Sequence, residues 1–376
     1  MSNLKYFLFL LSSLLLACDS GSDGDGKSNP PASDVKVIYT MPEESETHEG
    51  TWLQWPHEHQ YGVDFRNYLD PTWIEMIRAL VQSENVHIIV YDNGEKSRVI
   101  ALLNGAGISL SKIDFRIYQT DDVWARDNAG IFVRDSTGKL VIEDWGFNGW
   151  GGKTEFSKCN VVPSKMAQDL NMEKVDLNNI MINEGGSVEI DGHGALMACK
   201  SSILNSNRNP SMSQVQAEEI FTKYLGATHF IWLNGKAGRE ITDMHIDGFA
   251  RFGNSSTIVT MSESDLQEWE VPQDDISKLL SAKNKAGLAY TILKLPLTKE
   301  NVVTTYGKDL GFKGSYVNYY IANTTVLVPN YNDPNDAMAN MLIQSIYPTR
   351  KVVGIDVRNL YENGGMIHCV TQQQPK

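Results

Sequence analysis

The stretch at residues 71–90 reads PTWIEMIRALVQSENVHIIV and divides into two unlike halves. Apolar residues recur at helical spacing in PTWIEMIRALVQS (71–83), which predicts an amphipathic helix. The following VHIIV (86–90) is a short β-branched run of the kind that forms a buried strand. A helix followed by a strand is therefore predicted to be the basic unit of the fold.

Similar units recur along the chain. A second amphipathic segment, QVQAEEIFTKYLG (214–226), also precedes a β-rich run, and most of the runs lie about 60 residues apart. This period predicts an α/β fold, and it is compatible with a solenoid, a propeller-like ring or an α/β sheet. The β-rich runs after VHIIV are FRIY (115–118), VDLNN (175–179), HFIWL (229–233), AYTILKL (289–295) and KVVGI (351–355).

The composition of the 376-residue chain is that of a globular protein, with 41% hydrophobic and 21% charged residues. Its formal net charge is -13, and it has no basic run, so nucleic acid is excluded as a partner. An acidic surface attracts cationic ligands, although it also serves solubility alone.

The first residues carry targeting information. Lys5 precedes the apolar stretch YFLFLLSSLLLA, which is too short to span a bilayer and suits a signal peptide. The stretch ends in LLAC, which resembles a bacterial lipobox, so residues 1–18 are predicted to be a lipoprotein signal peptide with Cys18 as the lipidation site. An ordinary cleaved signal peptide is the alternative. We expect an exported, membrane-anchored lipoprotein.

The rest of the chain divides simply. Residues 19–34 (DSGSDGDGKSNPPASD) have little to bury and are predicted to be a flexible tether. No second linker follows, so residues 35–376 are predicted to form a single catalytic domain.

Chemically reactive residues follow four of the predicted strands. The clusters are DDVWARD (121–127), NEGG (183–186), DMHID (243–247) and GGMIHC (364–369). Loops at the same end of repeated strands converge in closed or pseudosymmetric α/β architectures. The four clusters are therefore expected to meet in one site.

Each cluster also has an ordinary structural interpretation. His245 and Asp247 share one face of an extended strand but could be a half-exposed histidine and a solvated carboxylate. Asp127 could pair with its neighbour Arg126, and Glu184 could be a turn residue. A lone cysteine such as Cys369 is more often structural than catalytic.

Taken together, these residues amount to a thiol, a histidine and three carboxylates. More than one carboxylate is unusual for acyl transfer and indicates a cationic substrate. Guanidinium is planar and always charged, and carboxylates bind it bidentately. A thiolate suits attack on its central carbon.

The cysteine pattern argues against other chemistry. Apart from Cys18, the chain has Cys159, Cys199 and Cys369, an odd number without CxxC pairs. A disulfide framework and a structural zinc site are both disfavoured. We therefore expect no metal and no cofactor.

Seven segments carry a family resemblance. The sequence resembles the agmatine deiminases, within the group that also holds the bacterial-type peptidylarginine deiminases. The resemblance covers the chain from residue 41 almost to its end. The matching segments are MPEESETHEGTWLQWP (41–56), DDVWARDNAGIFV (121–133), DWGFNGWGGK (144–153), NEGGSVEIDGHG (183–194), LNSNRNP (204–210), HIDGFARF (245–252) and GGMIHCVTQQQP (364–375).

The resemblance implies a fold and a set of roles. The fold is the pentein fold, a five-bladed pseudosymmetric β/α propeller of guanidino-group-modifying enzymes. By matching motif, Cys369 is the nucleophile and His245 the general acid and base. Asp127 and Asp247 clamp the guanidinium, and Glu184 supports the histidine and the substrate.

Two further substrate contacts follow from the same resemblance. Trp124 packs along the alkyl chain of the substrate, and Gly365 allows its close approach. The loop 144–153 is expected to face the far end of the substrate, with Lys153 as its only cation. Small departures from the family pattern, at 128–130 and at Met366, leave every reacting group in place.

The implied reaction is hydrolysis of agmatine to N-carbamoylputrescine and ammonia through a covalent thiouronium on cysteine. The alternatives are deimination of peptide-bound arginine and a non-catalytic surface lipoprotein that binds guanidino compounds. The expected partner is a small cationic guanidino substrate. The membrane is contacted only through the lipid anchor, and the resemblance also allows a homodimer.

Overall fold

The computed structural model describes residues 36–376. In it, the helix–strand pair predicted at residues 71–90 is helix α1 (Glu58–Leu80) followed by strand β3 (Asn85–Val90). The helix begins before the predicted start and continues through Pro71, with a bend at Gly62, where φ is 71°. Burial of its apolar face, including Trp73, outweighs the hydrogen bond that proline removes. The signal peptide, Cys18 and the tether lie outside the described residues.

The strands predicted at 86–90, 229–233 and 351–355, and the helix at 214–226, lie where the sequence places them. Within residues 36–376 the helices are α1, α2 (Asn93–Gly105), α3 (Ala125–Asn128), α4 (Gly149–Gly152, a distorted turn), α5 (Val162–Leu170), α6 (Lys200–Ile203), α7 (Gln214–Leu225), α8 (Glu263–Glu268), α9 (Gln273–Leu280), α10 (Asp336–Ile346) and α11 (Arg358–Tyr361). The strands of the same range are β1 (Tyr39–Thr40), β2 (His48–Gln54), β3, β4 (Ile113–Ile117), β5 (Ile131–Asp135), β6 (Leu140–Gly146), β7 (Lys174–Ile182), β8 (Val188–Ile190), β9 (Ala195–Cys199), β10 (His229–Leu233), β11 (Arg251–Asn254), β12 (Thr257–Met261), β13 (Thr291–Leu295), β14 (Tyr320–Ile321), β15 (Thr325–Asn330), β16 (Lys351–Asp356) and β17 (Thr371–Pro375).

The strands of residues 36–376 form five sheets that share one pattern. In each sheet an antiparallel pair is followed by a strand parallel to its second member, as in β8, β9 and β10. A parallel neighbour requires a crossover connection, and here the crossovers contain helices, such as α1 between β2 and β3. The sheet orders are β17-β2-β3-β4, β1-β5-β6-β7, β10-β9-β8, β11-β12-β13 and β14-β15-β16.

The C-terminal strand completes the first of these sheets. Strand β17 runs antiparallel to β2, with Thr371 opposite Leu53. All five of its residues are buried, and the indole of Trp52 donates to Gln374 at 2.8 Å. The end of the chain is therefore held firmly, although chain ends commonly fray, and Cys369 lies directly before this strand.

The helices and sheets bury an extensive apolar core, so the predicted α/β class is confirmed. The three cysteines among residues 36–376 are free thiols. Cys159 and Cys199 are fully buried in the core, and burial raises the pKa of both thiols well above the ordinary value, which makes them poor nucleophiles. No helix in the described range is long and apolar enough to cross a membrane.

Candidate active site

One short segment from each of the five sheets leads to the same place. In every case the segment lies just before the first strand of the antiparallel pair. The five residues that occupy this position are Asp127 before β5, Glu184 before β8, Asp247 before β11, Asn318 before β14 and Cys369 before β17.

The thiol of Cys369 is partly exposed and faces two of the other segments. Its Sγ lies 3.5 Å from Oδ1 of Asn318 and 3.9 Å from Oδ2 of Asp247. The same Asn318 oxygen accepts from the backbone N–H of His368 at 3.0 Å, which fixes the turn that carries the thiol. Burial, and then the negative charges of Asp247 and Asp127, raise the pKa of the Cys369 thiol well above its ordinary value. A cation placed between these groups would reverse the effect of the carboxylates.

His245 lies among the carboxylates. Its Nε2 is 3.2 Å from Oε2 of Glu184, and its Nδ1 is 3.7 Å from Oδ1 of Asp127. Burial opposes a charged imidazole, but the charges of Asp127, Glu184 and Asp247 together raise the pKa of His245 to about 9. The ring is therefore protonated near neutral pH and able to donate a proton.

Asp127 is held by two donors. The backbone N–H of Gly186 donates to Oδ1 at 3.0 Å, and the indole of Trp150 donates to Oδ2 at 2.9 Å. Trp150 has a φ of 54°, a left-handed conformation uncommon for a non-glycine residue, between Gly149 and Gly151. Burial raises the pKa of the Asp127 carboxyl, against the opposing charge of His245.

Asp247 has a different environment. Its Oδ2 lies 2.7 Å from Nδ1 of His368, the residue next to the thiol. Burial on its own would raise the pKa of Asp247, but the hydrogen bond and charge of His368, with the charge of His245, lower it below the ordinary value. Asp247 is thus the more strongly ionised of the two aspartates.

Both diglycine pairs provide space at the site. A Cβ on Gly186 would lie 2.7 Å from Nδ1 of His245, 2.9 Å from Oδ1 of Asp127 and 3.0 Å from Oδ2 of Asp247. A Cβ on Gly365 would lie 2.2 Å from the ring of Trp124. The predicted site residues therefore converge so closely that side chains at these glycines would displace them.

These groups open into a cavity of about 470 Å³. Trp124, Asp127, His245, Asp247, Gly365 and Cys369, all predicted from the sequence, line it. Glu184 is fully buried behind His245, where Arg208 donates to its Oε1 at 2.7 Å. Each sequence-predicted site residue in the described range is thus part of one constellation, and their chemical roles remain predictions. Within residues 36–376 no group of metal-ligating side chains suited to an ion occurs.

Three residues of this arrangement were missed by the sequence analysis. Asn318 follows AYTILKL, one of the two recurrent runs to which no reactive cluster was assigned, so the period itself was the signal. Arg208 lies in LNSNRNP and Glu44 in MPEESETHEG, segments that were recognised without a role for either residue.

The position of loop 144–153 relative to the far end of the substrate stays a prediction. One of its residues, Trp150, reaches Asp127, a predicted clamp for the guanidinium. The ammonium of Lys153 is bound to Asp243 at 2.7 Å and to the carbonyl of Ile241 at 2.8 Å.

Gly186→Ala should lower kcat/KM by at least about 100-fold, because its Cβ would push His245 and the two aspartates from their positions. Gly105→Ala is the matched control, since Gly105 ends helix α2 with nothing near its Cβ position and should behave as wild type. Steady-state kinetics and thermal unfolding of both variants test this. Full activity of Gly186→Ala would contradict the convergence described above.

Comparison with known proteins gives a consistent result. The sequence model of the Porphyromonas-type peptidyl-arginine deiminase family matches residues 40–375. An agmatine deiminase of Pseudomonas aeruginosa (strain UCBPP-PA14) is 30% identical, and the alignment covers 93% of this chain and 98% of that protein. The structure of an agmatine deiminase of Enterococcus faecalis superposes with a TM-score of 0.81 at 25% identity, over 91% of this chain and 99% of that chain.

A C. jejuni agmatine deiminase solved with substrate bound gives a TM-score of 0.75 at 26% identity, over 90% of this chain and 97% of that chain. The resemblance predicted from the motifs is confirmed by these matches. Because the family model covers nearly the whole described range, the chain belongs to the Porphyromonas-type peptidyl-arginine deiminase family.

Proposed function

We propose that this protein hydrolyses agmatine to N-carbamoylputrescine and ammonia. The observation that carries the proposal is the meeting of Cys369, His245, Asp127 and Asp247 in one cavity. The protein resembles agmatine deiminases over nearly their full length, and this likeness supports agmatine as the substrate.

The carboxylates account for a guanidinium substrate. Asp127 and Asp247 are nearly fully buried and lie close to each other around Gly186, which is unfavourable while both are ionised without a cation. A guanidinium offers planar N–H groups to both, and it adds a positive charge beside the thiol. Binding of the cation thereby favours loss of the Cys369 proton to solvent.

The first half of the reaction forms a covalent intermediate. The thiolate of Cys369 adds to the guanidinium carbon, and a C–S bond forms. Protonated His245 donates its proton to one terminal nitrogen, the C–N bond breaks, and ammonia departs. A positively charged thiouronium remains on Cys369, stabilised by Asp127 and Asp247.

The second half restores the enzyme. Neutral His245 takes a proton from water, whose oxygen adds to the thiouronium carbon. The C–S bond then breaks, the second water proton is released, and the ureido product leaves a thiolate and a protonated His245. His245 and water supply the protons of the cycle, and Cys369 and water supply the electron pairs that form the new bonds.

The charges at the mouth of the cavity bear on substrate choice. Two cations line it that the sequence analysis did not consider, Arg239 and Lys313. Arg239 stacks on the Trp269 ring at 5.0 Å and lies 3.4 Å from Glu270, and Lys313 lies 2.9 Å from Glu268. Since both are paired with carboxylates, the mouth suits the second positive charge of agmatine better than a substrate carboxylate.

Arg239 nevertheless favours one alternative. Its guanidinium could exchange Glu270 for the carboxylate of free or C-terminal arginine, because Nε meets Glu270 at 3.4 Å in an ion pair that is not a hydrogen bond. Deimination of arginine in peptides is therefore the second candidate function.

Two wider features belong to the same proposal. We propose that the five sheets are the blades of a pentein propeller, since each has the same strand pattern and supplies one segment to the site. We also propose that residues 35–376 act as one catalytic domain, exported and tethered to a membrane through residues 19–34 and a lipid on Cys18. The lipobox resemblance of LLAC and the composition of the tether support this.

Cys369→Ser should reduce agmatine turnover to below about one hundredth of wild type, because a hydroxyl lacks the nucleophilicity of a thiolate. The fold and guanidinium binding should persist. Cys199→Ala is the control, since that thiol is buried in the core and should be dispensable for turnover. A ureido-product assay and calorimetric titration with agmatine measure both effects. Near-normal turnover by Cys369→Ser would contradict the assignment of Cys369 as the nucleophile.

Glu184→Gln should move the basic limb of the kcat/KM profile to lower pH. The Glu184 carboxylate helps raise the pKa of His245 to about 9, so its removal makes the imidazole lose its proton earlier as the pH rises. Glu173→Gln, at an exposed carboxylate paired with Lys139, should leave the profile unchanged. An unshifted basic limb in Glu184→Gln would exclude His245 as the proton donor seen in that limb.

Agmatine should have a kcat/KM at least ~100-fold higher than free arginine, because an unpaired carboxylate at the acidic mouth is costly. The assay offers agmatine, arginine and a C-terminal arginyl peptide in parallel, with Arg239→Gln as a comparison variant. Comparable rates on the peptide, lost in Arg239→Gln, would overturn the preference for agmatine.

A further inference from the structure

The segment MPEESETHEG (41–50) has so far been given no role in the reaction, yet its Glu44 reaches the back of the active site. The carboxylate is buried, and nitrogen atoms of four partners on other segments lie within hydrogen-bonding distance of it. The partners are Nε2 of His368 at 2.8 Å, Nη2 of Arg251 at 3.0 Å, Nη2 of Arg126 at 3.3 Å and the backbone N–H of Ile321 at 2.7 Å.

His368 lies between Glu44 and the candidate guanidinium clamp. Its Nδ1 is 2.7 Å from Oδ2 of Asp247, and its Nε2 is 2.8 Å from Oε2 of Glu44. Only 2% of the residue is exposed, so water does not replace either contact. A neutral imidazole has a single N–H, and both neighbours are carboxylate oxygens. While both carboxylates are ionised, the two contacts are both hydrogen bonds only when the ring carries two protons.

The surrounding charges agree with a second proton on the ring. The hydrogen-bonded network contains three carboxylates, of Glu44, Glu189 and Asp247, and two guanidiniums, of Arg126 and Arg251. An imidazolium at His368 supplies the third positive charge. Asp127 and His245 lie beyond Asp247, and Cys369 follows His368 in the chain. Buried charges are tolerated when they are paired in this way.

We propose that His368 is a positioning residue: Glu44 holds it as an imidazolium, and it in turn orients Asp247 and keeps that carboxylate ionised for the substrate. The inference deepens the proposed function and rests on it for the meaning of Asp247. It gives the segment 41–50 a function, because this segment carries Glu44. Glu44 and Asp247 are the two hydrogen-bond acceptors of the His368 imidazolium, and we call the three residues the relay. The lowered pKa of Asp247, to which the His368 contact contributes, is consistent with this.

A purely structural role is the competing explanation, because the same network joins the segments before β5 and β17 to strands β11 and β14. The two explanations differ in what they predict for protonation. A structural brace would change the amount of folded protein. A relay would also change the charge of His368 and the pH at which Asp247 loses its negative charge.

The direct test is a histidine-selective ¹⁵N NMR spectrum of the substrate-free protein at slightly alkaline pH. His368 is assigned by the resonance that disappears in His368→Gln. We expect both of its ring nitrogens to be protonated in the wild type, and the ring to become neutral at the same pH in Glu44→Gln and in Asp247→Asn. A neutral ring in the wild type, or an unchanged spectrum in Glu44→Gln, would overturn the relay. This spectrum needs no substrate, so it decides the relay even if agmatine is not turned over.

Kinetics provide the second readout. His368→Gln and Glu44→Gln should lower kcat/KM for agmatine by about 10- to 100-fold, the loss of one hydrogen bond to a charged group. The acidic limb should move to higher pH, because the pKa of Asp247 rises when its charged partner is lost. Glu173→Gln is the control, since its exposed carboxylate pairs with Lys139 outside this network, and its limb should not move. Equal shifts in all three variants, or none in the first two, would contradict the relay.

Discussion

The repulsion among buried carboxylates beside one thiol is the constraint on which the rest of this site depends. Asp127, Glu184 and Asp247 surround His245, and none of the three is appreciably exposed to water. Such an arrangement is stable only when positive charge is supplied close by. Arg208 supplies it to Glu184, His245 supplies it to Asp127, and the imidazole of His368 lies 2.7 Å from Asp247. A guanidinium fits the space beside Cys369 chemically, because Asp127 and Asp247 line it while the cations Arg239 and Lys313 of the same cavity are already paired with Glu270 and Glu268.

The fold brings these charges together from short segments of five sheets. The five sheets share one strand pattern, and in each sheet the segment just before the first strand of the antiparallel pair leads to the site. Each such segment therefore contributes at least one residue to the site, and the segment before β11 contributes both His245 and Asp247. The pairing of β17 with β2 fixes the last of these segments, so that Cys369, the proposed nucleophile, is as firmly held as the others although it lies seven residues before Lys376. The glycines Gly186 and Gly365 then allow the segments to approach within van der Waals contact.

Much of this arrangement could be predicted from the sequence. Repeated strands followed by reactive clusters were enough to bring Asp127, His245 and Cys369 together, since position after a strand is a local signal. Glu44, Arg208 and Asn318 could not be found in this way. These residues matter because of contacts with residues far apart in the chain, such as that of Glu44 with His368. Local sequence patterns do not predict such contacts. The pairing of Arg239 with Glu270, which bears on substrate choice, is likewise visible only in three dimensions.

The central claim is that Cys369 attacks the guanidinium carbon while Asp127 and Asp247 hold the substrate. The most direct test is rapid acid quenching of wild-type enzyme during a single turnover of agmatine, followed by digestion and mass spectrometry. We predict that the peptide containing Cys369 transiently gains the mass of agmatine less one ammonia. An adduct on Cys159 or Cys199 would contradict the account, and so would complete turnover with Cys369 unmodified at every quench time.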